Sequence, residues 1–180
     1  MPLFKKYHDS VYLIQPEKFK DNRGEFMELF NIKNLKRFGL KNIVQINYAK
    51  SKKNVLRGMH IQIGKYSQGK LLRVINGSIF DVIINLDKNS RYFKKKLYFK
   101  IDKNNKLLWI PRNYAHGYLT LKKGTEIEYI CDNKYNKISE RTIIWNDDKL
   151  NINWPKKKNL IFSKKDIDGI SLREYLSQLL

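Results

Sequence analysis

A single cysteine, Cys131, leaves this chain unable to close an intramolecular disulfide, and no Cys or His spacing around it suits a metal site. A reducing compartment fits that thiol, so a cytoplasmic protein is expected. No apolar run approaches membrane-spanning length, and the start, Met1-Pro2-Leu3-Phe4-Lys5-Lys6, has no apolar stretch behind its charges. No membrane role is expected. Acidic residues are scarce, 17 against 37 Lys and Arg, giving a formal net charge of +20. That excess fits nucleic acid, an acidic surface, an anionic small substrate, or lysines scattered over solvated faces. The lysines run the whole length of the chain without an arginine-rich arm, zinc-finger spacing or RNA-binding sheet motif, which favours scatter over nucleic acid. P-loop and dinucleotide glycine patterns are missing, and no serine sits in a nucleophile elbow.

What is present is a globular composition, 42% hydrophobic and 13% aromatic, in 180 residues, enough for one well-buried core spanning 1–180. Short apolar runs alternate with turn signals, the spacing of an all-β sandwich or barrel. Val11 to Ile14 reads as a first strand. Asp21-Asn22-Arg23-Gly24 reads as a turn leading into a strand with Glu28 inside it, and Ile32 to Phe38 as a short helix. Ile43 to Ala49 is a strand placing Gln45 and Asn47 on one face, Val44 and Ile46 on the other. Leu71–Ile75 and Ser78–Asn85, joined by Asn76-Gly77, predict a β-hairpin. Lys96–Ile101 and Lys106–Ile110, with a turn at Asp102–Asn105, repeat the pattern. Pro111 to Gly117 delivers His116 to the start of a strand, Tyr118–Leu121, and Thr125–Ile130 follows. Trp154-Pro155 and the lysines at 156–158 mark a surface excursion. Ser171 to Leu180 closes the chain as a short helix capped by Ser171 or Asp168.

The richest stretch is Val55-Leu56-Arg57-Gly58-Met59-His60-Ile61-Gln62. On a strand, His60 and Gln62 share a face; Arg57 starts on the other, but a bulge at Gly58 would re-aim one of the pair. His60 is either a core histidine bonded to a neighbour or a proton-transfer group in a barrel. With only His8, His60 and His116 in the chain, and Gln62 where a metal-binding barrel would carry a second histidine, a transition metal is short of ligands. Acid–base chemistry by a histidine with tyrosine, lysine and carboxylate help remains.

Several motifs then match together and in order. Asp21-Asn22-Arg23-Gly24-x-Phe26, Gln45-x-Asn47, the octapeptide at 55–62, Lys70-Leu71-Leu72-Arg73-Val74 and Trp109-Ile110-Pro111 through Ala115-His116-Gly117-Tyr118 come first. Glu126-x-x-Tyr129, Glu140, Trp145-Asn146-Asp147, Ile152-x-Trp154-Pro155 and Ser163-Lys164-Lys165-Asp166 follow. From about Phe19 to Asp166 the chain resembles the dTDP-4-dehydrorhamnose 3,5-epimerase family. Tyr48-Ala49-Lys50-Ser51 and the heavy lysine load depart from its pattern.

The resemblance implies a mainly β, cupin-like jelly-roll barrel with a few short helices, including a C-terminal one. It implies a homodimer working without metal or cofactor on a dTDP-4-keto-6-deoxy sugar, inverted at C3 and C5. By the same resemblance His60 is the base, Asp166 orients it, Tyr129 is the proton donor on the opposite face, and Lys70 holds charge near the O4 enolate. Arg57, Arg23 and Lys165 pair with the diphosphate, while Glu28, Gln45, Asn47, His116 and Glu140 supply other substrate contacts. Asp81 is a rival partner for His60, and Asp166 a rival cap for the terminal segment. A single-centre epimerase, a ketoisomerase, and a non-catalytic basic barrel binding anionic sugars or nucleic acid are the alternatives.

Overall fold

The computed structural model describes residues 3–40, 42–103, 106–156 and 158–179. In chain order the strands are β1 (Leu3–Lys6), β2 (Tyr12–Gln15), β3 (Phe19–Asp21), β4 (Gly24–Phe26), β5 (Gln45–Ser51), β6 (Leu56–Gln62) and β7 (Lys70–Asn76). They continue as β8 (Ser78–Asn85), β9 (Lys96–Asp102), β10 (Leu107–Ile110), β11 (Tyr114–Thr120), β12 (Thr125–Cys131) and β13 (Glu140–Thr142). The helices are short: α1 (Ile32–Lys36), α2 (Lys164–Ile167) and α3 (Leu172–Ser177). One antiparallel sheet runs β1-β2-β10-β7-β12-β5, the other β13-β6-β11-β8-β9, and β3-β4 form a separate hairpin. The chain crosses repeatedly from one large sheet to the other, which makes the structure a jelly-roll barrel.

Side-chain alternation builds three apolar layers from these sheets. Between them lie Leu72, Val74, Ile79, Ile83, Leu108 and Ile127. Outside the five-stranded sheet, Leu56, Met59, Ile61, Val82 and Leu119 pack against the C-terminal segment through Ile143, Ile152, Trp154, Leu172 and Tyr175. Outside the six-stranded sheet, Tyr12, Leu71, Trp109 and Ile130 are covered by Leu35, Phe38 and Leu40, from α1 and the turn after it. The same inward faces that carry the central layer also carry Lys70 beside Leu72 and Tyr129 beside Ile127, so the barrel turns polar toward one end.

Several expectations change. Asn76-Gly77 does not close a hairpin: β7 pairs with β10 and β12, β8 with β11 and β9. The dipeptide instead turns a corner between sheets, where Gly77 has φ +85° and a Cβ would meet Thr125 Oγ1 at 2.4 Å. The runs 96–101 and 106–110 likewise fall in different sheets, and Asn104 and Asn105 of their turn lie outside the described residues. Local turn chemistry specifies a reversal, whereas partner choice belongs to the sheets. Glu28 lies beyond β4, exposed, accepting a bond from Asn31 Nδ2 at 3.4 Å. His116 sits within β11 rather than ahead of it. A strand the sequence reading omitted, β1, pairs with β2 of its own chain. Trp154, expected on a surface excursion, is buried in the outer core; Lys157 of that run is outside the described residues. Ser171 caps α3 in a capping box with Glu174, and Leu180 lies outside the described residues.

Candidate active site

The octapeptide folds as its glycine suggested. His60 lies opposite His116 and Arg57 opposite Tyr118, so two residues of β6, Gly58 and Met59, face one of β11, Gly117, in a bulge. Gly58 has φ +128°, and a Cβ there would stand 2.5 Å from Gly117 Cα and 2.8 Å from the His116 carbonyl oxygen. The extra residue puts Met59 and Ile61 in the outer core while Arg57 and His60 both reach the barrel interior.

A cavity of about 360 Å³ opens between the sheets. Gln45, Asn47, Arg57, His60, Lys70, His116, Tyr129, Glu140 and Lys165 all line it. Gln45 and Asn47 come from β5, where Gln45 Nε2 donates to Asn47 Oδ1 at 2.7 Å. Lys70 and Tyr129 come from β7 and β12 of the six-stranded sheet, His60 and His116 from β6 and β11 of the other. Histidine and tyrosine therefore approach the same space from opposite walls.

Asp166 stands behind the cavity, only 1% exposed. Its Oδ1 accepts from His60 Nε2 at 2.7 Å and from the Gly58 amide at 3.1 Å. Its Oδ2 accepts from the Ser163 amide at 3.4 Å and from Ser163 Oγ at 2.6 Å, so the carboxylate closes the capping box of α2 while holding the histidine. Burial alone would raise the Asp166 pKa, but the bonds from His60, Ser163 and Gly58 bring it down to about 2. Burial pushes His60 below 6.5, with Lys165 and Lys70 adding to that and Asp166 opposing it. A neutral imidazole with Nε2 committed to Asp166 keeps its lone pair on Nδ1.

The rival partner, Asp81, is bonded elsewhere: its Oδ2 lies 2.7 Å from His116 Nε2. Lys70 is lowered by burial, with Cys131 and Glu140 pulling it back up. Tyr129 is raised by burial, with Arg57 opposing, so its phenol keeps its proton. At the mouth, Glu140 Oε1 pairs with Lys165 Nζ at 2.8 Å and Oε2 accepts from Tyr135 at 3.0 Å. Burial would raise Glu140, but the Lys165 ammonium and the Tyr135 hydroxyl hold it below its ordinary value. Among the described residues Arg57 donates only to Ser51 Oγ, at 3.3 and 3.4 Å.

Two predicted binders are elsewhere in the chain. Arg23, on the turn between β3 and β4, is exposed and bonded to Asp21 at 2.7 Å, and Glu28 lines a separate apolar cavity beside Phe26 and Phe30. Gln62, which shares a face with His60, instead ties down loops by donating to the carbonyls of Tyr66 and Lys134 at 2.7 and 3.1 Å. Gln68, Tyr118 and Tyr135 also line the cavity and were missed. Tyr118 alone carried a signal, two residues after His116 on the same strand face. Among the described residues no three His, Cys, Asp or Glu side chains gather as metal ligands, and no helix is long and apolar enough to cross a membrane.

Residues 7–174 match the family model of dTDP-4-dehydrorhamnose 3,5-epimerase. The chain belongs to that family. It is 42% identical to the dTDP-4-dehydrorhamnose 3,5-epimerase of Shigella flexneri over 172 residues, covering 94% of each chain. The epimerase of Methanothermobacter thermautotrophicus is 39% identical over 92% of this chain and 91% of its own. In structure the chain is similar to the dTDP-6-deoxy-D-glucose-3,5-epimerase of Legionella pneumophila, solved with dTDP-4-keto-L-rhamnose. The TM-score is 0.92 at 32% identity, over 100% of this chain and 97% of that one. As a member of the epimerase family the chain is an isomerase, and the mainly β cupin-like fold agrees with its solved relatives.

Proposed function

We propose that this cavity epimerises a dTDP-4-keto-6-deoxy sugar at C3 and C5, converting dTDP-4-dehydro-6-deoxyglucose to dTDP-4-dehydrorhamnose, with 1–180 acting as one domain. The observation that carries the reading is the opposition of His60 and Tyr129 across one cavity. Hydrogens on carbons beside a ketone are weakly acidic, and inversion needs a base on one face, an acid on the other and stabilisation of the enolate oxygen between them.

In this reading His60 removes the proton through Nδ1, and Asp166 holds the ring and stabilises the imidazolium that forms. Lys70, whose charge burial destabilises, offers it to O4. Tyr129 delivers a proton from the opposite sheet, and before the second carbon reacts His60 releases its proton to solvent and the Tyr129 phenolate takes one back. Arg57 and Lys165 meet the diphosphate, for which Lys165 exchanges its bond to Glu140. Gln45, Asn47, His116 and Glu140 supply contacts to the rest of the substrate. Family membership supports this chemistry over the basic binding barrel, and no step calls on a metal or cofactor.

Incubation with the keto sugar nucleotide in heavy water tests the reading. Deuterium is expected at both C3 and C5. Label at one carbon alone demotes the protein to a single-centre epimerase, and no label at either refutes the reading.

A homodimer is part of the proposal. The edge strand β5 turns Ile46 and Tyr48 outward at 58% and 59% exposure, and the β3-β4 hairpin leaves Phe26 70% exposed. Such a surface suits a second copy of the chain. Arg23 and Glu28 act as substrate contacts only if this hairpin reaches the partner's cavity. Sedimentation at micromolar concentration is expected to give twice the chain mass, and a monomer would sink both the dimer and these two assignments.

A further inference from the structure

Among the described residues four side chains bury a polar atom without a hydrogen-bond partner, and of these Tyr118 alone lines the active-site cavity. The residue is 4% exposed. Ser51 lies beside its hydroxyl but off hydrogen-bonding geometry, and Ser51 Oγ is already engaged by the Arg57 guanidinium at 3.3 and 3.4 Å. Burial pushes the Tyr118 pKa well up, opposed by Arg57, so the group is a neutral phenol with a hydrogen to give. A buried hydroxyl left unmet costs stability, and a cavity wall is where a ligand would repay that cost.

The position of the ring indicates which ligand atom it meets. Tyr118 follows His116 by two on β11, and the ring centroids are 6.0 Å apart. Across the strands it sits in register with Arg57. It thus stands level with the arginine that takes the diphosphate and next along the face from the histidine pair, where the ketone and its flanking carbons react. On a pyranose whose C1 carries the diphosphate and whose C4 is the ketone, C3 and C2 lie between, and C3 is a reacting carbon. Resting on the function proposed above, we infer that Tyr118 is a specificity-determining residue whose hydroxyl hydrogen-bonds the substrate's C2 hydroxyl.

Tyr118→Phe in the full chain removes the oxygen and keeps the ring. Because the oxygen is unmet in the free protein, Tm is expected to hold or rise. The kcat/KM on the natural substrate is expected to fall about 10-fold, the worth of one well-formed neutral bond. A 2-deoxy analogue should cost the wild type a similar factor and cost Y118F nothing further. A lowered Tm with unchanged kcat/KM would make the hydroxyl structural and overturn the inference. Equal extra losses on the analogue in both proteins would overturn the C2 contact. If the wild type exchanges deuterium into the sugar while Y118F keeps full kcat/KM, the inference alone fails. A wild type that exchanges none overturns the functional reading and this inference with it.

Discussion

His60 and His116 are direct cross-strand neighbours on β6 and β11, and each holds its own aspartate through Nε2 at 2.7 Å, Asp166 for the first and Asp81 for the second. The two carboxylates come from opposite directions in sequence, one from the C-terminal α2 and one from the neighbouring β8. Only the first is braced by a helix cap and a backbone amide as well. That difference separates a base whose orientation is fixed on several sides from a companion histidine at the same wall.

His60→Asn should reduce deuterium incorporation about 1,000-fold or more, in the range lost with a positioned general base. Its far-UV circular dichroism should match the wild type, since the ring contributes to none of the three apolar layers. Undiminished exchange in this variant would remove His60 from the base role.

Asp166→Asn keeps the size of the side chain and removes its charge. The His60 bond and the Asp166 charge both raise the imidazole pKa, so their loss moves the acidic limb of kcat/KM to lower pH while the plateau falls about 100-fold. A limb that moves upward would contradict the assigned pairing. Asp81→Asn should leave the midpoint of that limb closer to the wild-type value.

For the wild type, burial of His60 sets the sign of two pH effects. The base must be neutral, so the acidic midpoint of kcat/KM should lie below the ordinary 6.5. In the unfolded chain His60 takes a proton near 6.5 and in the folded chain only at lower pH, so it erodes stability as pH falls below 6.5. Asp166 runs on a lower window: its contribution is present above the ordinary 3.8 and is lost as pH falls toward about 2. Urea titrations at several pH values should show the first decline before the second.

Tyr129→Phe separates abstraction from delivery. With His60 intact, deuterium should still exchange into the substrate from the histidine face, while epimerised product falls at least 100-fold. Product formed at the wild-type rate would assign the proton donor elsewhere.

Gly58→Ala tests the bulge. Its Cβ would stand 2.5 Å from Gly117 Cα at a φ of +128°, with backbone on the far side that cannot rotate away. A loss of about 2 kcal/mol or more is expected in urea unfolding, from overpacking and the backbone conformation together. A neutral outcome would mean that β6 and β11 can separate without penalty.

Periodicity and motif order determined much of this protein from sequence alone. The Gln45/Asn47 face and the β-rich fold follow from alternation along strands and the bulge from Gly58, all local properties of the backbone, while nine of the cavity-lining side chains are named by the ordered motifs of the family resemblance. The tertiary structure decided what locality cannot express. Asn76-Gly77 specifies a turn equally well within a hairpin or between sheets, and the sheets chose the second. Asp166 and Asp81 are both aspartates at a distance from His60 in sequence, and only the packing of α2 behind β6 allots the first to it. The hydroxyl of Tyr118 is left unmet where three strands bring it together with Ser51 and Arg57, a juxtaposition that no single stretch of sequence records.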